Sequence, residues 1–105
     1  MNNKIGKIIA MDIDGCIAEP LAEEYRHQYW RSIPIKDVIT KVNKLYENKY
    51  VIIYHTGRDP IHYAETYAWL VKQGCKFHAL RMGKLNADWF IDDKNITIDE
   101  LLKHD

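Results

Sequence analysis

Two aspartates, Asp12 and Asp14, stand two residues apart where an apolar run ends in "IIAMDIDGCIAE", Ile8 to Glu19. On extended backbone, side chains two positions apart point to the same face, so the two carboxylates aim at one point. At an effective dielectric near 20, two unit charges ~4 Å apart repel by about 4 kcal/mol. A metal ion, a shared proton or a nearby cation must offset that repulsion. Other polar residues follow later apolar runs: Thr56, Gly57 and Arg58 in "HTGR", Lys84 in "MGK", and Asp92 with Asp93 in "IDDK". Taken singly, an aspartate after a strand is a turn residue and a lysine a solvated cation. Their recurrence after successive apolar runs points to a common rim, because ligands of parallel sheets gather beyond the carboxyl ends of the strands.

The elements that must position these groups follow from periodicity. Ile5 to Ile13, Tyr50 to Tyr54, Lys76 to Leu80 and Asp88 to Ile91 read as strands of a buried parallel sheet. In "IPIKDVITKVNKLYENK" the residues Ile35, Val38, Ile39, Val42, Leu45 and Tyr46 recur at helical spacing, with Pro34 suited to a first helical position. A second helix is predicted from Pro60 to Gln73, with Asp59 as its N-cap and Gly74 as its stop. Thr97 and Glu100 have the spacing of a capping box and open a short third helix. Alternating strands and helices imply right-handed crossovers and a three-layer α/β/α Rossmann-like arrangement, a parallel sheet covered on both faces. The irregular piece from Glu19 to Ile33 is long for so small a chain, and such loops are often functional. Its aromatics Tyr25, Tyr29 and Trp30 either contact a ligand or pack on the sheet.

Composition bounds the rest. A chain of 105 residues suits one domain, 1–105, with 47% hydrophobic and 29% charged residues, as in ordinary globular proteins. Lys plus Arg equals Asp plus Glu at 15 each, which leaves no general electrostatic footprint for tight nucleic-acid binding. The sequence has no apolar run of spanning length and no signal peptide, so the expectation is a cytoplasmic protein with Cys16 and Cys75 as reduced thiols. Cys16 is a poor nucleophile candidate, because no histidine adjoins it and the neighbouring acids raise its pKa. His55 and His78 lie in apolar runs, and no HxH or HExxH spacing supports a zinc site.

The order of "DIDGC", Thr56 of "HTGR", Lys84 of "MGK" and "IDDK" resembles the four motifs of the haloacid dehalogenase superfamily of aspartate-nucleophile phosphotransferases, across essentially the whole chain. The resemblance implies Asp12 as the nucleophile and Asp14 as the general acid and then base. It implies Mg²⁺ as cofactor, held by Asp12, the main-chain carbonyl of Asp14 and Asp92, with Asp93 as a further ligand or a group behind them. Thr56 would hold a phosphoryl oxygen, Gly57 would admit the backbone to the phosphate, and Lys84 would neutralise charge. Cys16 departs from the threonine that many members carry. Neither customary cap position has room for an inserted domain, which implies a capless chain; through "LYENKYVIIYHTGR" and the "GKLNADWFIDDK" tail it is similar to the small phosphatases of capsule and surface-polysaccharide biosynthesis, and more distantly to polynucleotide phosphatases.

The resemblance implies a phosphomonoesterase acting on a small phosphorylated sugar or metabolite. Arg58 and the aromatic segment are the candidate substrate contacts, unless Arg58 pairs with a neighbouring acid instead. A homo-oligomer would serve to cover the open site. Three alternatives stand beside it: a polynucleotide 3′-phosphatase, a receiver-like signalling domain and a catalytically silent phosphate- or metal-binding module. In a receiver the acid pair comes first in the chain and the phosphoacceptor later, the reverse of the order here.

Overall fold

A computed structural model describes residues 6–104. Strand β1 (Ile8–Met11) pairs in parallel with β2 (Val51–His55), with Ile8 opposite Val51 and Met11 opposite Tyr54. Strand β2 pairs in parallel with β3 (Ala79–Arg81), Ile53 lying opposite Ala79, so the sheet order is β1-β2-β3. Parallel neighbours need long crossovers, and helices supply them: α1 (Lys36–Glu47) links β1 to β2, and α2 (Tyr63–Lys72) links β2 to β3. This is the expected Rossmann-like α/β core. Helix α3 (Ile98–Lys103) follows and packs on α1.

The predicted helix starts hold at two of three sites. Asp59 accepts the N–H of Ile61 at 3.0 Å ahead of Pro60, although the first turn, Pro60–His62, is wound as 3-10 helix before α2 begins. At Thr97 both hydrogen bonds of the capping box form. Pro34 corrects the third expectation. It lies outside α1, in a bridge with Ala18, and the N–H of Ile35 donates to the carbonyl of Ile17 at 2.8 Å. Hydrogen bonds to the 17–19 segment hold 33–35 extended, so the helix starts two residues later. The Glu19–Ile33 piece is thereby closed into a loop containing two 3-10 turns, Glu23–Tyr25 and Tyr29–Arg31.

One face of the sheet carries Met11, Ile52, Tyr54 and Leu80 into a core with Ile13, Ile17, Val38, Val42 and Leu70, all buried. The register puts Ile8, Ala10, Val51 and Ile53 on the opposite face, where Ile8 is 67% exposed. Ile5, assigned above to the first strand, lies outside the described residues. The third strand is shorter than its apolar run because His78 meets Ile52 with its ring: the Ile52 N–H donates to His78 Nδ1 at 3.0 Å.

The fourth expected strand is absent. Asp88 to Ile91 pairs with nothing among the described residues, and Trp89 and Ile91 are 83% and 92% exposed. β-forming side chains stabilise a strand only through cross-strand partners. Here local bonds take the chain instead, the N–H of Lys94 donating to Asp92 Oδ1 and Asn95 Nδ2 donating to the carbonyl of Phe90. Among the described residues β1 therefore remains an edge strand.

Candidate active site

The carboxyl ends of the three strands surround an open pocket of about 390 Å³ whose lining includes Asp12, Asp14, Tyr29, Gly57, Arg58, Lys84 and Phe90. Its construction begins immediately after β1. The carbonyl of Ile13 accepts the N–H groups of Cys16, Ile17 and Ala18, and Gly15 closes the loop at φ +85°, a conformation costly for residues with a Cβ. Asp12 and Asp14 thus face the same space, as their spacing predicts. The loops after β2 and β3 are laced together by three main-chain bonds: Thr56 N–H to Arg81, Lys84 N–H to Thr56 and Gly83 N–H to Arg58, at 2.9 to 3.0 Å. That lacing brings Lys84 to the carboxylates.

Each carboxylate has its own cation. Asp12 Oδ1 accepts the Ile13 N–H at 2.8 Å, and its Oδ2 lies 3.6 Å from Lys84 Nζ. Asp14 is gripped by Arg58 through two parallel bonds, Nε to Oδ2 at 2.9 Å and Nη2 to Oδ1 at 2.8 Å. The Arg58 side chain is only 2% exposed. Arg58 is thus the partner of an acid, which is one of its two sequence readings, while also lining the pocket. Bidentate pairing of this kind is both strong and directional. The repulsion implied by the sequence is offset by two cations that the chain itself supplies.

Thr56 is buried and does not line the pocket; its Oγ1 accepts the N–H of Arg58 at 3.2 Å, leaving the hydroxyl proton free to donate. Gly57 is the exposed member of that loop. Of the three loop aromatics, Tyr29 reaches the site, its ring 3.8 Å from Arg58 Cζ. Burial raises its phenol pKa, against the opposing pull of Arg58. Tyr25 sits under Arg31 in a separate groove, and Trp30 is 65% exposed. Burial first, then the charge of Asp12, raises the Cys16 thiol, in the direction the sequence implied.

Asp92 and Asp93 are exposed and do not line this pocket. Asp92 caps its own turn, and the bonds from Lys94 and Asp93 hold its carboxyl below the ordinary range. Among the described residues, no group of three or more His, Cys, Asp or Glu is gathered closely enough to hold a metal ion. The donors are all oxygen and chemically suit Mg²⁺. Asp12 and Asp14 line the pocket while Asp92 and Asp93 stand outside its lining, so half of the ligand set that the resemblance implies is gathered there, and the Arg58 bonds to the Asp14 side chain leave its main-chain carbonyl untouched.

Two contributors escaped the sequence reading. Thr66 is fully buried on α2 and accepts from Arg58 Nη1 at 3.1 Å. Phe90 stands 4.5 Å from Lys84 Nζ, where its ring faces the cation. A hydroxyl on the apolar stripe of α2 was the available signal for Thr66. Phe90 carried none, because its run read as a strand.

The sheet order, the paired aspartates after β1 and the lysine loop after β3 define a Rossmann-like α/β fold with its polar groups gathered at the carboxyl edge of the sheet. No family model and no curated protein sequence matches the chain. Solved structures do. A crystallised Vibrio cholerae protein superposes with a TM-score of 0.77 at 20% identity, covering 94% of this chain and 89% of that one. A chain of the Pnkp1/Rnl/Hen1 complex gives a TM-score of 0.66 at 19% identity over 87% of this chain and 32% of that chain. The D,D-heptose bisphosphate phosphatase of B. bronchiseptica, crystallised with magnesium and phosphate, gives 0.59 at 15% identity over 78% of this chain and 52% of that one. This chain therefore spans about half of that phosphatase and a third of the complex subunit. Among the described residues no helix is long and apolar enough to cross a membrane.

Proposed function

We propose that the chain is a Mg²⁺-dependent phosphomonoesterase that works through an aspartyl-phosphate, on a small phosphorylated sugar or related metabolite. The observation that carries this reading is the pairing of Asp12, held by one main-chain bond beside Lys84, with a second aspartate whose orientation is fixed by Arg58 in the same pocket. Asp12 Oδ attacks phosphorus while the ester P–O bond breaks, and Asp14, carrying a proton on one oxygen in place of one of its two Arg58 bonds, gives that proton to the leaving oxygen. A water then attacks the phosphoenzyme as Asp14 takes its proton, which releases inorganic phosphate and regenerates Asp12. Lys84 and the main chain at Gly57 are suited to the charge of the transferring group, with buried Thr56 bracing that loop by accepting the Arg58 N–H.

Asp12, the main-chain carbonyl of Asp14 and Asp92, with Asp93 as a further ligand or a group behind them, would hold Mg²⁺, which would offset charge on the nucleophile and the phosphate. The steps above run on side chains already gathered in the pocket. The open mouth would be covered by a second copy of the chain or by the substrate itself. The fold-level likeness to a phosphatase crystallised with magnesium and phosphate supports the reaction class.

A nucleic-acid end is the second reading, favoured by likeness to a chain of an RNA repair complex at a TM-score of 0.62. The formal charge of +0 favours the small substrate. Phosphate release should be measured from sugar phosphates, nucleotides and 3′-phosphorylated oligonucleotides, with and without Mg²⁺ at fixed salt. Asp12→Asn should abolish turnover, a loss of roughly 10⁴-fold or more, and keep the fold. Near wild-type activity in that variant would remove the nucleophile. Preference for the oligonucleotides, lost steeply as salt rises, would replace the sugar-phosphate reading.

A further inference from the structure

Arg58 is held on three sides, and two of its holders have no role in the chemistry above. Nε and Nη2 bond Asp14, while Nη1 donates to Thr66 Oγ1 at 3.1 Å and the Tyr29 ring covers the guanidinium at 3.8 Å. Thr66 is the one polar residue among the three buried positions of α2, beside Trp69 and Leu70. A buried hydroxyl there is less favourable to helix and core than an apolar side chain unless it is bonded, and Arg58 supplies that bond. The same helix also fixes Tyr29. Trp69 Nε1 donates to the carbonyl of Ser32 at 3.0 Å and so ties the Tyr29–Arg31 turn to α2.

We propose that Thr66 and Tyr29 are positioning residues that act through Arg58 on Asp14, aiming its carboxyl at the leaving oxygen. The inference rests on Asp14 as the proton donor. Asp14 is half-exposed and follows β1 on an irregular loop, so in the described structure its aim depends on the guanidinium. A guanidinium with only two bonds to Asp14 could pivot about its own stem. The third bond and the ring remove that freedom. A misplacement of about 1 Å in a reacting group can cost 10²-fold.

The test exploits leaving-group chemistry. An aryl phosphate expels a stable phenolate with little need of a proton, whereas an alkyl phosphate expels an alkoxide that requires one. With p-nitrophenyl phosphate and β-glycerophosphate as probes in the presence of Mg²⁺, kcat of Thr66→Val and of Tyr29→Leu on the alkyl ester should fall roughly 10- to 100-fold. On the aryl ester the fall should stay within about 3-fold, because a misaimed donor matters little where no proton is needed. KM should change little for either ester. Thr66→Ser and Tyr29→Phe, which keep the hydroxyl and the ring, should recover most of the alkyl-ester activity. Equal losses on both esters would mark a general structural effect and overturn the inference, as would undiminished alkyl-ester turnover in both disruptive variants. Absence of phosphate release from either ester by the wild-type protein would instead remove the phosphatase reading, and the inference with it.

Discussion

Asp14 and Asp92 are residues of one type, each placed after a run of β-forming side chains, and the structure treats them oppositely. Asp14 gives both carboxylate oxygens to a guanidinium 44 positions away in the chain, and that guanidinium is itself walled in by Thr66 and Tyr29. Asp92 is exposed and caps the turn two residues on. The first belongs to a network anchored on a loop, a strand end and a helix; the second belongs to a local turn. An acid at a strand end becomes part of a site only when a distant element supplies its partner.

Stability should separate the two regions most clearly. Arg58→Ala leaves Asp14 and Thr66 without their partner and removes packing from Tyr29, so it should cost about 3 kcal/mol. On a domain of this size that is a fall in Tm of more than about 10 °C. Asp92→Ala and Trp89→Ser alter exposed groups and should stay within about 0.5 kcal/mol. Equal losses by denaturant melting would break the contrast.

Magnesium should sharpen it. If the ion recruits Asp92 to the pocket, then at a hundred times its dissociation constant it should stabilise the wild type by about 2.7 kcal/mol. The same addition should slow amide exchange over residues 88–93 and do less in Asp92→Asn. A melting curve indifferent to Mg²⁺, with unchanged exchange in that segment, would leave Lys84 and Arg58 to offset the carboxylate pair among the described residues.

The smallest expected effect concerns the thiols. Burial pushes Cys75 up to about 11 and also raises Cys16, so both favour the neutral thiol in the folded chain. The thiolate is the species that alkylates. Iodoacetamide at neutral pH should therefore label the folded protein more slowly than the unfolded one, with the rate climbing as pH rises. Fast labelling of Cys16 at neutral pH, with loss of phosphatase activity, would reopen its place in the chemistry.

Much of this molecule is local in origin and was legible as such. The stop of α2 at Gly74 and the box at Thr97 depend on residues a few positions apart, and the sequence alone determined them. So did the convergence of Asp12 and Asp14, because period-2 geometry is intrinsic to extended backbone. Alternating apolar runs and amphipathic stretches likewise determined the parallel α/β core, since parallel strands need helical crossovers. Which cation each aspartate meets was decided by tertiary structure. Whether Arg58 was held by an acid or left for a substrate was settled between elements, where Asp14, Thr66 and Tyr29 close around it in contacts that no local pattern encodes. The fate of "DWFI" was decided the same way: its residues are strand formers, but a strand exists only where another offers a ladder, and none does so here among the described residues.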